Sequence, residues 1–313
     1  MSKAPATPTA EAPRPSHLPS TPTAVPHHYP PPSYPGVERE RFRQRGYTVV
    51  KRVFAPEEIE ALREESIAAL ERLEQQDLLV SESGAEGTAR YSRCDVLSIS
   101  EVRHMMLDPR IVGVIGELLG ARPAYFGESV LRMGAIGARG WHRDCVNRRK
   151  FRGGLDWHDP YRILRCGIYM QDQAHHTGGL ALRPRSHRPG FQIRSLPLLV
   201  DAEVGDLVVW DLRTVHSGEA VRLRGLPGLT LHPRMQTLLP QALRVGEARE
   251  RMVLFMSFGL RGPHLDHYLN YLMTRKQNRE IWATSRFEAE VWEQASAAGL
   301  DVVAASAEYG TPR

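Results

Sequence analysis

The sequence predicts one α+β domain with a mainly β core and helices at both ends. Amphipathic helical patterns come first, short β-like runs fill residues 123–260, and helical periodicity returns over residues 264–300. Gly, Pro and Asp turn signals separate the β-like runs, which is typical of a barrel or sandwich. Helices that precede and follow such a core indicate a single domain, placed at residues 37–313.

The first 36 residues are predicted to form a disordered tail outside this domain. Residues 1–36 contain eleven of the 23 prolines, mixed with Ala, Thr and Ser. A stretch of this composition cannot bury enough apolar area to offset the entropy lost on ordering. The tail is interpreted as a dispensable extension, with a docking segment as the alternative.

Two helices are predicted ahead of the β core. Residues 46–54 suggest a short strand, and the helix that follows over residues 55–76 has Pro56 at a first helical position. A second helix is predicted over residues 109–120, where Gly120 suits the left-handed end. The first of these helices has an apolar stripe that is predicted to face the core, made by Ile59, Leu62, Leu70 and Leu73.

Five apolar runs predict the strands of the core. Each is short and bounded by turn residues, as expected for strands rather than helices. The runs read AYFGESVLRMG, LRCGIYMQD, GGLALRP, DLVVWDL and RMVLFMSFG.

Composition narrows the class of protein. Cys94, Cys145 and Cys166 are not in CxxC spacing, so we expect neither a disulfide framework nor a thiolate zinc site, and a cytoplasmic location is predicted. No apolar run of membrane-spanning length and no secretory signal is recognised, which predicts a protein without a membrane partner. The net charge of +5 is mild and fits an acidic small molecule at least as well as nucleic acid.

The stretch GWHRDC at residues 140–145 contains a His-x-Asp pair. On a strand, residues i and i+2 face the same side, so His142 and Asp144 present an imidazole and a carboxylate together. A third ligand is needed, and His216 in WDLRTVHSGEA is the candidate. Two His and one carboxylate form the facial triad of non-haem Fe(II) oxygenases, which leaves coordination positions open.

Several motifs in order resemble the phytanoyl-CoA dioxygenase (PhyH-like) family of Fe(II)/2-oxoglutarate oxygenases, over about residues 44–260. GYTVVKRVFAPEEIEALR resembles the family's opening strand and helix, and WHRD its metal-binding WHxD. YMQDQAHHTGGLALRPRSH, VGDLVVWDLRTVHSGEA and RERMVLFMSFG resemble its later segments. One departure is Arg185, where the family usually has Gly, so we expect either no tight left-handed turn there or a new charge near the site.

The resemblance implies a double-stranded β-helix, a jelly-roll of the cupin-like kind, with His142, Asp144 and His216 as iron ligands. It further implies that Fe(II), 2-oxoglutarate and O₂ are used and that succinate, CO₂ and an oxidised substrate are released. Hydroxylation of a small molecule is the simplest activity, while desaturation, epimerisation and ring closure stay open. Halogenation is disfavoured because Asp144 is present. The residue composition is also typical of GC-rich bacterial genomes, where such enzymes often act in secondary metabolism.

A guanidinium is expected to bind the distal carboxylate of 2-oxoglutarate. Arg251, just before the final apolar strand, is the candidate, although it follows the distal His by more residues than the family pattern has. Residues 222–249 are therefore interpreted as an inserted loop that forms part of a lid. Ser217 is a second candidate contact for the cosubstrate. The rivals to Arg251 are Arg222, Arg224 and Arg249.

Seven Lys or Arg residues lie between positions 132 and 152, against the single acid Asp144. We expect them to rim the pocket and to attract an anionic substrate, such as a carboxylate, a phosphate, or a thioester on CoA or a carrier protein. Solvated loop charges are the alternative, and sparse aromatic residues argue against nucleic acid. The substrate-binding candidates among them are Arg132, Arg143, Arg148 and Arg149.

A second class of function stays open from the sequence alone. The same fold could serve a non-oxidative cupin-like metal isomerase or a non-catalytic binding module. The late position of Arg251 keeps this alternative open, and turnover of 2-oxoglutarate discriminates the two.

Overall fold

Two antiparallel sheets make up the centre of the molecule. The computed structural model describes residues 37–148, 154–172, 178–189, 195–226, 229–236, 238–246 and 250–304. The predicted tail at residues 1–36 lies outside these described residues. All of them belong to one compact unit, Pro31–Arg313.

The described residues form eleven strands, named in chain order. They are β1 (Tyr47–Val50), β2 (Leu79–Gly84), β3 (Gly87–Ser92), β4 (Ala124–Gly134), β5 (Ile163–Tyr169), β6 (Gly179–Leu182), β7 (Leu198–Leu199), β8 (Leu207–Asp211), β9 (His216–Ala220), β10 (Met252–Gly259) and β11 (Asp301–Val302).

The helices lie mainly at the two ends of the chain. They are α1 (Arg39–Arg45), α2 (Pro56–Gln75), α3 (Arg103–Met106), α4 (Pro109–Leu119), α5 (Pro233–Gln236), α6 (Pro263–Thr274), α7 (Lys276–Thr284) and α8 (Ala289–Ala297).

The chain alternates between the two sheets. The larger sheet has the order β1-β8-β5-β10-β4-β3-β2, with β11 parallel to β4, and the smaller has the order β7-β6-β9. From β5 in the larger sheet the chain passes to β6 and β7 in the smaller, to β8 in the larger, to β9 in the smaller and to β10 in the larger. An isolated bridge between His142 and His216 adds a further segment beside β9.

The larger sheet is covered on both faces, which explains its near-continuous apolar strands. In β10, Leu254 and Met256 pack with α2 and α4, whereas Val253 packs with residues of β6 and β8 on the other face. Side chains of a strand point alternately to the two faces, so both sets are buried. The sequence prediction of an α+β molecule with a mainly β core and flanking helices is confirmed at this level.

Local signals placed the first long helices correctly. The predicted helix at residues 55–76 is α2, and the predicted helix at residues 109–120 is α4, with Gly120 in the left-handed conformation at its end. The predicted stripe on α2 is buried in the core. The predicted helices at residues 264–300 correspond to α6, α7 and α8.

Two details differ from the sequence interpretation. Arg185 adopts φ +67°, so the turn is left-handed although a residue other than Gly occupies it. Its backbone N–H donates to the Arg45 carbonyl at 2.7 Å, one of the contacts that hold this turn against α1. In the described part of the predicted loop at 222–249, α5 and a 3₁₀ turn at Gln241–Leu243 interrupt the irregular chain.

Candidate metal centre

The three predicted ligands come together at the edge of the smaller sheet. His142 and His216 exchange two backbone hydrogen bonds, of 3.0 and 2.9 Å, and the Asp144 N–H donates to the Leu212 carbonyl at 3.1 Å. His142 and Asp144 are two residues apart on this extended segment and point the same way. One ligand atom from each of His142, Asp144 and His216 lies within 4.8 Å of the other two.

Both imidazoles are held with Nε2 turned toward Asp144. Nδ1 of His142 lies 2.8 Å from the Gly140 carbonyl, and Nδ1 of His216 lies 2.9 Å from the Thr214 carbonyl. A carbonyl only accepts hydrogen bonds, so each Nδ1 is a donor, and Nε2 is the nitrogen that would face a metal ion. The Nε2 atoms of His142 and His216 are 3.8 and 3.4 Å from carboxylate oxygens of Asp144.

The charges of the group suit a divalent metal ion. Burial, together with the neighbouring His216, lowers the pKa of His142 to about 4. Burial alone would raise the pKa of Asp144, but Arg165 and His216 hold that pKa well below its ordinary value. Neutral imidazole nitrogens with one carboxylate oxygen are the donor set of the two-His-one-carboxylate iron sites, so these residues fit Fe(II).

Arg165 on β5 supports Asp144, and nothing in the local sequence pointed to it. Its Nη1 donates to Asp144 at 2.7 Å, its Nη2 lies 2.6 Å from Glu128, and its Nε donates to the Ser257 hydroxyl at 2.9 Å. Ser257 is the direct cross-strand partner of Arg165, and Glu128 lies on the next strand of the sheet. Only the register of β5, β10 and β4 brings these groups together.

The ligands line a cavity of about 440 Å³. Apolar walls come from Leu180, Trp210 and Phe255, and residues of α7 also line the cavity. This volume accommodates a small molecule.

Arg251 lies in the same cavity and is 3 % exposed. Its Nε donates to the Gly178 carbonyl at 2.7 Å, while its buried Nη1 has no hydrogen-bond partner among the described residues. Gly178 has φ +99°, and a Cβ there would lie 3.0 Å from Cδ of Arg251. A buried guanidinium nitrogen without a partner is costly unless an acidic ligand completes it.

The geometry does not favour Ser217 as a cosubstrate contact, which corrects the sequence interpretation. Its hydroxyl donates to the Arg139 carbonyl, and Ser217 is not among the residues that line the cavity. Ser217 follows His216 directly on β9, so the two side chains point to opposite faces. The rival arginines also lie elsewhere: Nη2 of Arg222 contacts Asp201, Nε of Arg224 contacts the Arg244 carbonyl, and Arg249 lies outside the described residues.

The predicted substrate arginines separate into three groups. Arg132 and Arg148 line the cavity, and Arg132 is paired with the buried Glu219 at 2.8 Å. Arg143 does not line it, because its side chain turns away from the ligands and its Nε donates to the Arg213 carbonyl at 2.9 Å. Arg149 lies outside the described residues.

A two-sheet fold that brings two imidazoles and one carboxylate within 4.8 Å of one another provides a candidate metal site of the two-His-one-carboxylate class. Residues 42–223 match the phytanoyl-CoA dioxygenase (PhyH) family, and the chain belongs to that family. With the triad intact, family membership makes Fe(II) the cofactor and 2-oxoglutarate the cosubstrate.

Solved structures are similar in fold at low sequence identity. AviO1 from Streptomyces viridochromogenes Tue57 is 18 % identical with a TM-score of 0.51, over 72 % of this chain and 96 % of that chain. The α-ketoglutarate-dependent epimerase SnoN from nogalamycin biosynthesis is 20 % identical with a TM-score of 0.48, over 70 % and 80 %. EctD from S. alaskensis with 2-oxoglutarate and 5-hydroxyectoine is 16 % identical with a TM-score of 0.48, over 71 % and 74 %. No curated protein matches the chain significantly in sequence.

The described helices were also considered as membrane spans. None of them combines sufficient length with sufficient apolar character to cross a bilayer.

Proposed function

We propose that the protein is an Fe(II)/2-oxoglutarate-dependent oxygenase that hydroxylates a small molecule, with release of succinate and CO₂. One observation carries the proposal. Three metal-ligand atoms meet within 4.8 Å in a cavity that also holds a buried guanidinium nitrogen without a partner. This combination supports the assignment of the three residues as metal ligands and of the guanidinium as the anchor for an acidic cosubstrate.

Each residue has a role that follows from its contacts. His142, Asp144 and His216 would hold the iron, and the bound iron supplies the activation of O₂. Arg165 fixes the orientation of Asp144, so that one carboxylate oxygen is presented to the metal. Arg251 would bind the distal carboxylate of 2-oxoglutarate in a site from which water is excluded, where a charge-assisted contact is strongest.

The alternation of strands between two sheets supports a double-stranded β-helix. Strands β4, β5, β8 and β10 would form one half, and β6, β7 and β9 with the segment at His142 the other. On this proposal residues 37–313 are one domain and residues 1–36 an appended tail. The cytoplasm remains the predicted location, in keeping with three buried cysteines that are all free.

Other reactions share this machinery. Desaturation, epimerisation and ring closure begin from the same iron site, and SnoN is named as an epimerase. We propose hydroxylation as the simplest outcome. Halogenation is disfavoured because Asp144 occupies the position that would have to open for a halide. The non-oxidative isomerase and the binding module stay as the competing class.

The test is an anaerobic titration of the full-length protein with Fe(II) and then 2-oxoglutarate. We expect a weak visible charge-transfer band of the chelated cosubstrate in the wild type and its loss in Asp144→Ala. In Arg251→Gln the half-saturating concentration of 2-oxoglutarate should rise about 10- to 100-fold, since a buried charge-assisted contact is lost.

The matched control is Arg224→Gln. This arginine is exposed and does not line the cavity, so its replacement should leave the titration unchanged. Absence of the band in the wild type would refute the oxygenase and favour the isomerase or the binding module.

A further inference from the structure

The arginines of the cavity are not equally neutralised. Arg132 and Arg139 contact Glu219 or Glu82, and Arg165 contacts both Glu128 and Asp144. Arg251 is assigned to the cosubstrate. The two cavity arginines that remain, Arg148 and Arg275, form no ion pair with any described carboxylate, which leaves two positive charges without a counterion in this part of the chain.

These two guanidiniums lie against the same aromatic ring. The Cζ atoms of Arg148 and Arg275 are 5.8 and 5.9 Å from the ring centre of Tyr271. A main-chain contact also restrains Arg148, because its Nε donates to the Cys145 carbonyl at 3.3 Å. Two positive charges beside one ring raise the local electrostatic potential, and a bound anion would lower it.

A buried amide lines the same cavity, three residues after Arg275. Asn278 lines the cavity, is 6 % exposed, and its side chain makes no hydrogen bond to a described residue. A buried polar side chain normally has a partner, so this amide is available to a ligand. It lies in the first turn of α7, a nine-residue helix whose N-terminus has no side-chain cap. The positive end of the helix dipole therefore adds to the charge of the arginines.

We propose that Arg148, Arg275 and Asn278 form a subsite for an oxyanion group of the substrate, a carboxylate or a phosphate ester. The inference rests on the proposed function, because it names the class of molecule that the same cavity accepts. The substrate would place its acidic group at α7 and its apolar part along Trp210 and Phe255, toward the metal ligands. Arg275 and Asn278 would then be specificity-determining residues on the C-terminal helices.

The experiment compares three probes of similar size by calorimetry: phenylacetate, phenyl phosphate and the uncharged phenylacetamide. Full-length protein is loaded anaerobically with Fe(II) and 2-oxoglutarate, so that the metal ligands and Arg251 are occupied. The titration is repeated without these additions, which makes the result independent of cosubstrate binding. The stronger of the two anions identifies the acidic group.

At least one anion should bind about tenfold more tightly than the amide, since charge-assisted contacts are lost with the charge. Arg148→Gln and Arg275→Gln should each weaken the anion about tenfold, Asn278→Ala should weaken it severalfold, and Arg275→Lys should recover part of the loss. The control is Arg279→Gln, an exposed arginine of α7 that is not part of the cavity lining.

Equal binding of the amide and the anions would overturn the subsite, and so would wild-type affinity in Arg275→Gln. Anion binding that is lost in Arg251→Gln but kept in Arg275→Gln would also overturn it. A failure of the proposed function is seen separately, as absence of the visible band with Fe(II) and 2-oxoglutarate.

Discussion

Asp95 is a fully buried carboxyl, and its ionisation should make the stability of the protein depend on pH. It accepts hydrogen bonds from the Tyr125 and Ser129 hydroxyls and from the Leu97 N–H, but no described cation contacts it. Burial raises the pKa of Asp95 from 3.8 to about 6, although these hydrogen bonds oppose the change. The folded protein therefore holds this proton more tightly than the unfolded chain does.

The sign and the size follow by linkage. A raised folded-state pKa stabilises the fold at low pH, and this contribution is lost as the pH rises through about 6. The full difference between the two pKa values corresponds to about 3 kcal/mol. When the pH is lowered from 8 to 4.5, Asp95 should stabilise the fold by about 2 kcal/mol. The full value is not reached, because the unfolded carboxyl is still largely ionised at pH 4.5.

Asp95→Asn isolates this contribution from all other titrating groups. The amide keeps an acceptor for the Leu97 N–H and carries no charge. The quantity measured with urea is the free energy of unfolding of the variant minus that of the wild type. We expect this difference to rise by about 2 kcal/mol as the pH is raised from 4.5 to 8. A difference that stays constant with pH would refute the raised pKa, and a change of opposite sign would show that the pKa is lowered.

Two further predictions concern stability: one tests the ion pairs of Arg165, and the other tests the close approach of a side chain to Gly46. Arg165→Met should lower the free energy of unfolding by about 3–5 kcal/mol, because it leaves buried carboxylates uncompensated. The double variant with Glu128→Gln should lose less than the sum of the two single losses. Additive losses, measured by urea unfolding, would contradict a coupled pair. Gly46→Ala should cost at least about 2 kcal/mol, because Gly46 has φ +79° and a Cβ would lie 2.3 Å from Nδ1 of His187. Gly225→Ala, with φ +72° and no described atom within 4 Å of the added Cβ, measures the backbone strain alone, and an equal cost would rule out the clash.

The fold could be predicted where local signals and burial agree. Pro56 and Gly120 sit at helix ends for reasons of backbone geometry, and the apolar strands are buried on both faces. The β2–β3 hairpin and α1 were not predicted. The hairpin reads LVSESG and GTARYS and is largely exposed or half-buried, and α1 reads RERFRQR with Phe42 as its buried residue. Their stability comes from pairing and tertiary packing, which periodicity does not show.

The candidate site, like the fold, could be predicted from the sequence only where local periodicity determines the geometry. The two-residue period of a strand brings His142 and Asp144 together, and the same rule, applied to β9, places Ser217 on the face away from His216. The sequence interpretation did not apply it there. Arg165 and Asn278 could not be found in this way, because their places depend on which strands pair and on how α7 packs against the cavity. Such contacts are set by the fold as a whole.

Charge balance connects the metal centre with the subsite proposed at α7. Metal-ligating imidazoles are neutral, so bound Fe(II), Asp144, the two charges of 2-oxoglutarate and Arg251 would together sum to zero. The other carboxylates of the cavity are matched by its paired arginines, with Glu128 taken up by Arg165. A neutral substrate would leave the charges of Arg148 and Arg275 uncompensated in a partly desolvated space, which is costly. A substrate with an acidic group removes that cost, and the same charges would orient it so that its uncharged part reaches the metal.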